Sequence, residues 1–218
     1  MAPPPQLILA SASPTRRALL AGAGLSFAVE PADIDEGAVT GAPGAVARRL
    51  AKQKALAVSA IHPEALVVGG DQVLALMKKS HGVLEEKSCP PIFASFSEKG
   101  RIIRKARTRG QAITKIRTLS AYSTHSLHCA VAVAHGGHVL WTHLDRADMT
   151  MRTLSTAEIK RYVAAAGPEV TGSVGAYALE GLGAWLFDRV QGDYFTVLGL
   201  PLLPLLRYLR EQHGMGPC

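Results

Sequence analysis

The sequence has few cysteines, few aromatic residues and no long apolar run, and each scarcity excludes a class of protein. Its three cysteines lack metal-ligand spacing and cannot all pair, so we expect reduced thiols in a cytoplasmic protein. The richest apolar stretch, Val197–Leu209, is interrupted by glycine, proline and arginine, so we expect no membrane span. The first residues show no signal-peptide pattern. Aromatics make up only 6%, which leaves alanine, leucine and valine to fill the core.

The net charge of +7 comes from one segment of the chain. Residues 78–117 contain eleven Lys and Arg against three Glu, and six of the nine lysines. This concentration predicts an insertion, or a stretch read in a shifted frame, at 78–104 within a single domain spanning 1–218. Clustered basic residues bind nucleic-acid phosphates, so a nucleic-acid-binding role is an alternative to catalysis. With only Phe93 and Phe96 to stack on bases, the segment disfavours that alternative.

Strand and helix patterns alternate along the chain. Apolar runs at Gln6–Ser11 and Ala65–Gly70 predict buried strands, and Ala45–Ala60 has apolar residues at helical spacing. The alternation predicts an α/β fold with a mixed, twisted sheet flanked by helices. Val73–Met77 is expected to continue the second of these strands. Further strands are expected over Ser26–Val29, Leu127–His135, His138–His143 and Trp185–Val190, and helices over Arg16–Ala21, Ser155–Ala166 and Leu202–Gln212.

A phosphate-binding pattern follows the first strand. Ser11 and Ser13 precede a helix that contains Arg16 and Arg17, and Ser13 is placed to cap it. Free backbone N–H groups, hydroxyls and guanidinium groups at a helix start suit phosphate oxygens. Capping alone explains the serines equally well.

Acidic residues occur at two further places. Asp71 and Gln72 follow two glycines at the end of an apolar strand, where ligands of α/β sheets bind and a carboxylate could hold a metal or orient water. Glu36 lies in an acidic loop that precedes a helix carrying Lys54. Carboxylates for a divalent metal and cations for developing charge are what phosphoanhydride hydrolysis requires. A turn aspartate and a solvated acidic loop are the alternative interpretations.

Glycines crowd residues 172–183, around Tyr177 and Glu180. Glycine permits close backbone approach to a planar ligand, and Glu180 could accept a hydrogen bond from a base edge. The alternative is a tight turn between core strands.

The order of these motifs resembles the Maf family of nucleotide pyrophosphatases. The likeness spans residues 7–76 and about 118–205, from Leu-Ile-Leu-Ala-Ser-Ala-Ser-Pro-x-Arg-Arg through Gly-Asp-Gln-Val-Leu to Val-Leu-Gly-Leu-Pro. The resemblance implies two lobes around a deep cleft and hydrolysis of a nucleoside triphosphate to monophosphate and pyrophosphate. It also implies a divalent metal (Mg, Mn or Co), a homodimer and a role in removing modified or non-canonical nucleotides. A septum-related regulatory role is the non-catalytic alternative.

The resemblance also assigns residues. By position, Asp71 looks like the catalytic carboxylate and a metal ligand, and Glu36 like a second metal ligand. Six side chains look like substrate-binding groups: Ser11, Ser13, Arg16, Arg17, Lys54 and Lys105. We expect the two arginines to share one groove with Asp71. Thr15, Gln72 and Glu180 occupy positions that tune base choice, and the last two resemble the 7-methyl-GTP branch rather than the dTTP/UTP branch. The family's Lys-Pro pair is absent, and Lys105 has better spacing than Lys87 for its lysine.

Overall fold

The computed structural model describes residues 5–76, 94–97, 100–103 and 105–216. The predicted insertion at 78–104 lies mostly outside these residues, as does Lys87, so both expectations stay predictions. In chain order, the helices and strands are β1 (Leu7–Leu9), α1 (Pro14–Gly22), β2 (Ala28–Val29), α2 (Pro43–Ile61), β3 (Leu66–Leu76), β4 (Ala94–Ser97), β5 (Gly100–Ile103), α3 (Arg109–Tyr122), β6 (Thr124–His135), β7 (His138–Met151), α4 (Thr156–Ala166), α5 (Glu169–Gly172), β8 (Phe187–Gln191), α6 (Tyr194–Leu198) and α7 (Leu202–His213).

These elements form the mixed α/β fold that the sequence predicts. The sheet follows the strand order β2-β1-β3-β6-β7-β8, with β5 paired to β3 and β4 paired to β5. The chain divides into two compact units: residues 1–72, 128–146 and 193–218 form the first, and residues 73–127 and 147–192 form the second. The deep cleft implied by the resemblance stays a prediction.

The first unit is built on parallel strands. β1 pairs in parallel with β2 and with β3, with Leu9 opposite both Val29 and Val68. Because side chains alternate along a strand, β1 contributes to two cores. Leu7 and Leu9 pack with Leu20 of α1 and with apolar residues of α7, whereas Ile8 and Ala10 pack with Val58 of α2.

A buried free cysteine lies on β6 in the same unit. Cys129 is fully buried and unpaired, which agrees with the expectation of a reduced thiol at this position. Burial raises the pKa of this thiol to about 12, so it stays protonated and unreactive at neutral pH. Cys89 and Cys218 lie outside the described residues.

The second unit combines antiparallel strands with three helices. β7 pairs with β8, and β5 pairs with the end of β3, both in antiparallel register. α3 packs on α4 and α5. Helix α4 begins with the predicted capping box, in which Ser155 and Glu158 each accept the other's backbone N–H.

The structure corrects several predicted element boundaries. β7 extends to Met151 and not only to His143, and Trp185 lies in a 3-10 turn, Leu182–Leu186, that precedes β8. The short helices α5 and α6 were not predicted, because four or five residues are too few to show a helical period. None of the helices in the described ranges is both long and apolar enough to cross a bilayer.

Candidate functional site

One face of β3 contacts α2 so closely that only glycine fits at its centre. A Cβ at Gly69 would lie 2.3 Å from the backbone oxygen of Ala51. Asp71, two residues further along the strand, faces the same helix and accepts a hydrogen bond from Lys54. Gly69 therefore brings strand and helix together at the point where the two charged side chains meet.

Lys54 lies between two carboxylates. Its Nζ is 2.8 Å from Asp71 Oδ1 and 2.6 Å from Glu36 Oε1. Lys54 and Asp71 are buried, with side chains 10% exposed, whereas Glu36 is 54% exposed. Glu36 begins a 3-10 turn capped by Asp35, which accepts a hydrogen bond from the Gly37 N–H. The structure therefore brings Asp71 together with Glu36 and Lys54, two residues that the sequence pattern already grouped.

The donor set of this cluster fits a divalent cation. Two carboxylate oxygens within hydrogen-bond distance of one ammonium group already surround a cation. Mg²⁺ is commonly held by one or two carboxylates together with substrate phosphates and water. No group of three or more His, Cys, Asp or Glu side chains suited to a metal occurs within 5–76, 94–97, 100–103 and 105–216. A metal held by Glu36 and Asp71 would complete its coordination with substrate phosphates or water.

The opposite face of β3 contacts the Arg16 side chain. A Cβ at Gly70 would lie 3.1 Å from Arg16 Nε, so this guanidinium group lies on the face away from Asp71. The Nε donates to the Gly199 carbonyl at 2.7 Å, and Nη1 donates to Ser11 Oγ at 3.0 Å. Arg16 and Asp71 therefore contact β3 from opposite faces, and the expectation that they share one groove stays a prediction.

Ser13 has the capping role that was one of the two interpretations of the serines before α1. Ser13 is the N-cap and accepts from the Arg16 N–H, and Ser11 accepts from the Ser13 N–H at 3.3 Å. Capping uses their oxygens as acceptors and leaves the hydroxyl protons as donors. Thr15 is half-buried and Arg17 is exposed in the first turn. Arg17 makes no ion pair with the described residues, so its charge is available to an anion.

Gln72 is tied to α6 and not to the Asp71 cluster. Its Nε2 donates to the carbonyl oxygens of Thr196 and Val197, at 2.9 and 3.0 Å. Asp193 caps the other end of this helix by accepting from the Thr196 N–H. The sequence analysis did not identify this cap, although Asp is among the residues preferred at a helix N-cap.

Lys105 and Glu180 belong to the second unit, and both are exposed. Near Lys105 the structure reveals a buried lysine that the sequence gave no reason to single out. Lys115, on α3, is 3% exposed and donates to the Val174 carbonyl at 3.0 Å. Burial, and then the charge of Lys105, lowers the pKa of Lys115 to about 8.

A buried histidine–tyrosine pair anchors the glycine-rich loop of the second unit. Tyr177 Oη lies 2.6 Å from His125 Nε2, and the rings of both residues pack against Phe187. His125 is fully buried, its Nδ1 has no hydrogen-bond partner among the described residues, and burial lowers its pKa to about 3. Scattered histidines are usually structural, and His125 fits that interpretation.

The first unit also has a surface groove of about 650 Å³ that none of the predicted site residues lines. Trp141 and Tyr208 line it and stack on each other, with ring centroids 4.8 Å apart. His143 and Asp145 also line it, and their side chains are hydrogen-bonded at 2.9 Å. The groove joins β7 to α7, elements far apart in sequence.

The family of this chain is shown by comparison with known proteins. Residues 6–212 match the family described as Maf-like protein, and the chain belongs to that family. A protein of Bradyrhizobium diazoefficiens named nucleoside triphosphate pyrophosphatase is 46% identical over 94% of this chain and 93% of its own. A protein of Rhizobium etli named 7-methyl-GTP pyrophosphatase is 44% identical over 95% of this chain and 96% of its own.

A solved structure, that of a HAM1 protein from Coxiella burnetii, is similar at 16% identity with a TM-score of 0.42. It covers 68% of this chain and 74% of that chain. This similarity is too weak to inform the site.

Proposed function

We propose that the protein hydrolyses a nucleoside triphosphate to the monophosphate and pyrophosphate. The family and the names of its relatives support this proposal. The observation that carries it is the position of Lys54 between Glu36 and Asp71. A buried carboxylate beside an ammonium group and a second carboxylate has the chemistry that anhydride hydrolysis requires.

The reaction joins a water oxygen to the α-phosphorus and breaks the bond from that phosphorus to the α–β bridging oxygen. Asp71 orients the water and accepts its proton, and pyrophosphate leaves with the bridging oxygen. Glu36 and Asp71 would hold a divalent cation (Mg²⁺, Mn²⁺ or Co²⁺), and this cation would neutralise charge on the triphosphate. Lys54 is placed to donate to a phosphate oxygen, so the charge of the departing group is shared by groups of the protein.

The start of α1 is the proposed position of the remaining phosphates. Ser11 and Ser13 keep their hydroxyl protons as donors, and the exposed Arg17 supplies a guanidinium fork. Arg16 is proposed as a further phosphate contact through Nη2, because Nε and Nη1 already donate within the protein. Lys105, from the second unit, is proposed as an additional cation for the transition state.

The substrate is proposed to be a modified or non-canonical nucleotide, which makes the protein a nucleotide-pool sanitation enzyme. One relative is named for 7-methyl-GTP, and we propose that Thr15, Gln72 and Glu180 tune the choice of base. The cytoplasmic location and the homodimer also stay proposals. Cell fractionation tests the location, and light scattering on the purified chain tests the homodimer. The nucleic-acid alternative depends on the segment 78–117 and stays a prediction.

Hydrolysis in ¹⁸O-labelled water with Mn²⁺ tests the proposal, using a panel that includes 7-methyl-GTP, GTP, dTTP and UTP. We expect at least one nucleotide to give equal amounts of monophosphate and pyrophosphate, with the label in the monophosphate. Label in pyrophosphate would place the attack at the β-phosphorus. Release of orthophosphate together with the nucleoside diphosphate would place it at the γ-phosphorus. No turnover of any nucleotide would reject the proposed activity.

A further inference from the structure

The surface groove of about 650 Å³ is built from one face of β7 and one side of α7. β7 contributes Trp141, His143 and Asp145, which face the same way because side chains alternate along a strand. α7 contributes residues spaced three and four apart, such as Arg207 and Glu211, which lie along one side of a helix. All of these residues belong to the first unit, and the volume is typical of a site for a small molecule.

The apolar part of the groove is a row of nearly parallel rings. The Trp141 ring lies 4.8 Å from that of Tyr208, at 13°, and 5.8 Å from that of His143, at 9°. The Tyr208 end of the row is met by His213, whose ring lies 5.4 Å away at 66°. The His143 end instead adjoins the Asp145 carboxylate, at 2.9 Å. A further flat group can therefore extend the row at its His143 end, beside a carboxylate.

Two carboxylates near this end compete for one hydroxyl proton. The Oγ1 of buried Thr196 lies 3.3 Å from Asp145 Oδ2 and 3.4 Å from Asp193 Oδ1. A hydroxyl group has one proton, so it donates to only one of these oxygens at a time. The second oxygen of Asp193, Oδ2, accepts no hydrogen bond from the described residues. This part of the groove therefore has more acceptors than donors.

The charged side chains of the groove favour a positively charged ligand. Among the described residues that line it are the guanidinium group of Arg207 and three carboxylates: Asp145, Asp193 and Glu211. Glu211 also contacts the exposed Arg210, at 3.4 Å, so the two aspartates carry most of the unbalanced charge. Charges within a partly enclosed groove are screened less by salt than charges on an open surface.

We infer that the groove binds a small organic cation that is flat and carries several N–H donors, as a guanidinium group does. Such a group stacks on His143 while it donates to Asp145 and Asp193. A compact ammonium group has no flat face to stack, and a neutral group of the same shape brings no charge. The inference goes beyond the proposed hydrolysis, because the groove is lined by none of the residues assigned to that reaction.

The chain has only two tryptophans, which makes the groove easy to observe. Trp185 is 76% exposed and belongs to the second unit, so Trp185→Phe leaves Trp141 as the single indole signal in ¹H–¹⁵N spectra. The probe is arginine amide, with lysine amide as the compact cation and citrulline amide as the neutral analogue. We expect a saturable Trp141 shift with arginine amide, about threefold weaker binding of lysine amide, and no saturable shift with citrulline amide.

Two substitutions in this Trp185→Phe protein should move the affinity in opposite directions. Asp145→Asn keeps the shape of the side chain and removes its charge, so we expect arginine amide to bind about tenfold more weakly. Arg207→Gln removes a competing cation at an exposed position, so binding should tighten about two- to threefold. The matched control is Asp188→Asn, exposed on β8 and outside the groove, which should bind as its parent does.

The inference is overturned if arginine amide gives no saturable shift, or if citrulline amide binds equally well. It is also overturned if Arg207→Gln weakens binding, since this exposed substitution tests charge without disturbing Thr196 or its partners. No nucleotide is present in these titrations, and Glu36, Lys54 and Asp71 are unchanged in every variant. Failure of the groove to bind a cation is thus distinguishable from failure of the chain to hydrolyse a nucleotide.

Discussion

The ammonium group of Lys54 donates to the buried carboxylate of Asp71 at 2.8 Å and at the same time contacts Glu36 at 2.6 Å. One lysine thus balances two carboxylates that the proposed mechanism assigns to a metal. Loss of this lysine would leave Asp71 buried and unpaired, and removal of one partner from a buried ion pair is strongly destabilising.

We therefore expect Lys54→Met to melt roughly 5–10 °C below the wild type in EDTA, a loss of about 2–4 kcal/mol. Mn²⁺ should raise the melting temperature of the variant more than that of the wild type, because the cation replaces the missing charge. Calorimetry of the unliganded protein measures both shifts. The control is Lys52→Met, a half-buried lysine two residues away. Equal melting of Lys54→Met and wild type would show that the cluster contributes nothing to stability.

Gly69 should tolerate no side chain. A Cβ there would lie 2.3 Å from the Ala51 backbone oxygen and 2.9 Å from the Ala55 Cβ, so β3 and α2 must separate in Gly69→Ala. We expect a loss of about 2–4 kcal/mol in urea unfolding, typical of an overpacked or strained core position. Gly22→Ala is the control, because a Cβ there meets nothing within 4 Å. A Gly69→Ala midpoint equal to that of the control would contradict the close packing.

The stability of the protein should rise with pH through the titration of Lys115. Its pKa is lowered from 10.5 to about 8 in the folded chain, so between these values the unfolded chain binds more protons. Stability is then gained as pH rises from 8 toward 10.5, by up to about 3 kcal/mol. Lys115→Met should lack this gain and be more stable than the wild type at pH 7. The comparison uses urea midpoints at pH 7 and 10, and parallel pH profiles of the two proteins would refute the assignment.

Burial of His125 should make the folded protein less stable as the pH falls. Burial lowers its pKa from 6.5 to about 3, so between these values the unfolded chain takes up a proton that the folded chain does not. Stability falls as pH drops through this window. His125→Gln keeps a polar group within reach of Tyr177 and does not titrate, so its urea midpoint should fall less steeply from pH 6.5 to 4. A variant as acid-sensitive as the wild type would exclude His125 as a cause.

The sequence predicted the elements and residues whose signals are local. The first helix, the capping box of α4 and the strand that carries Asp71 each show their pattern within a dozen residues. The convergence of Glu36, Lys54 and Asp71 followed from the order of motifs along the chain. Their hydrogen bonds, with Lys54 between the two carboxylates, are visible only in the structure.

Contacts between distant segments could not be predicted. Gln72 reaches carbonyls 124 and 125 residues away, on a helix too short to show a period. The side of β3 on which Arg16 lies depends on the packing of α1 and not on the arginine motif. Buried Lys115 carries no signal in the sequence, because lysines on helices are ordinarily exposed.

Replacement of Asp71 by Asn tests the central claim most directly. The change keeps the shape of the side chain and its contact distance to Lys54 but removes the charge that holds a metal and accepts a proton. With the best nucleotide of the panel and Mn²⁺, we expect kcat/KM to fall about 10³-fold or more, while the folded chain still binds nucleotide. A variant with kcat/KM within twofold of the wild type would contradict the assignment of Asp71 as the catalytic carboxylate.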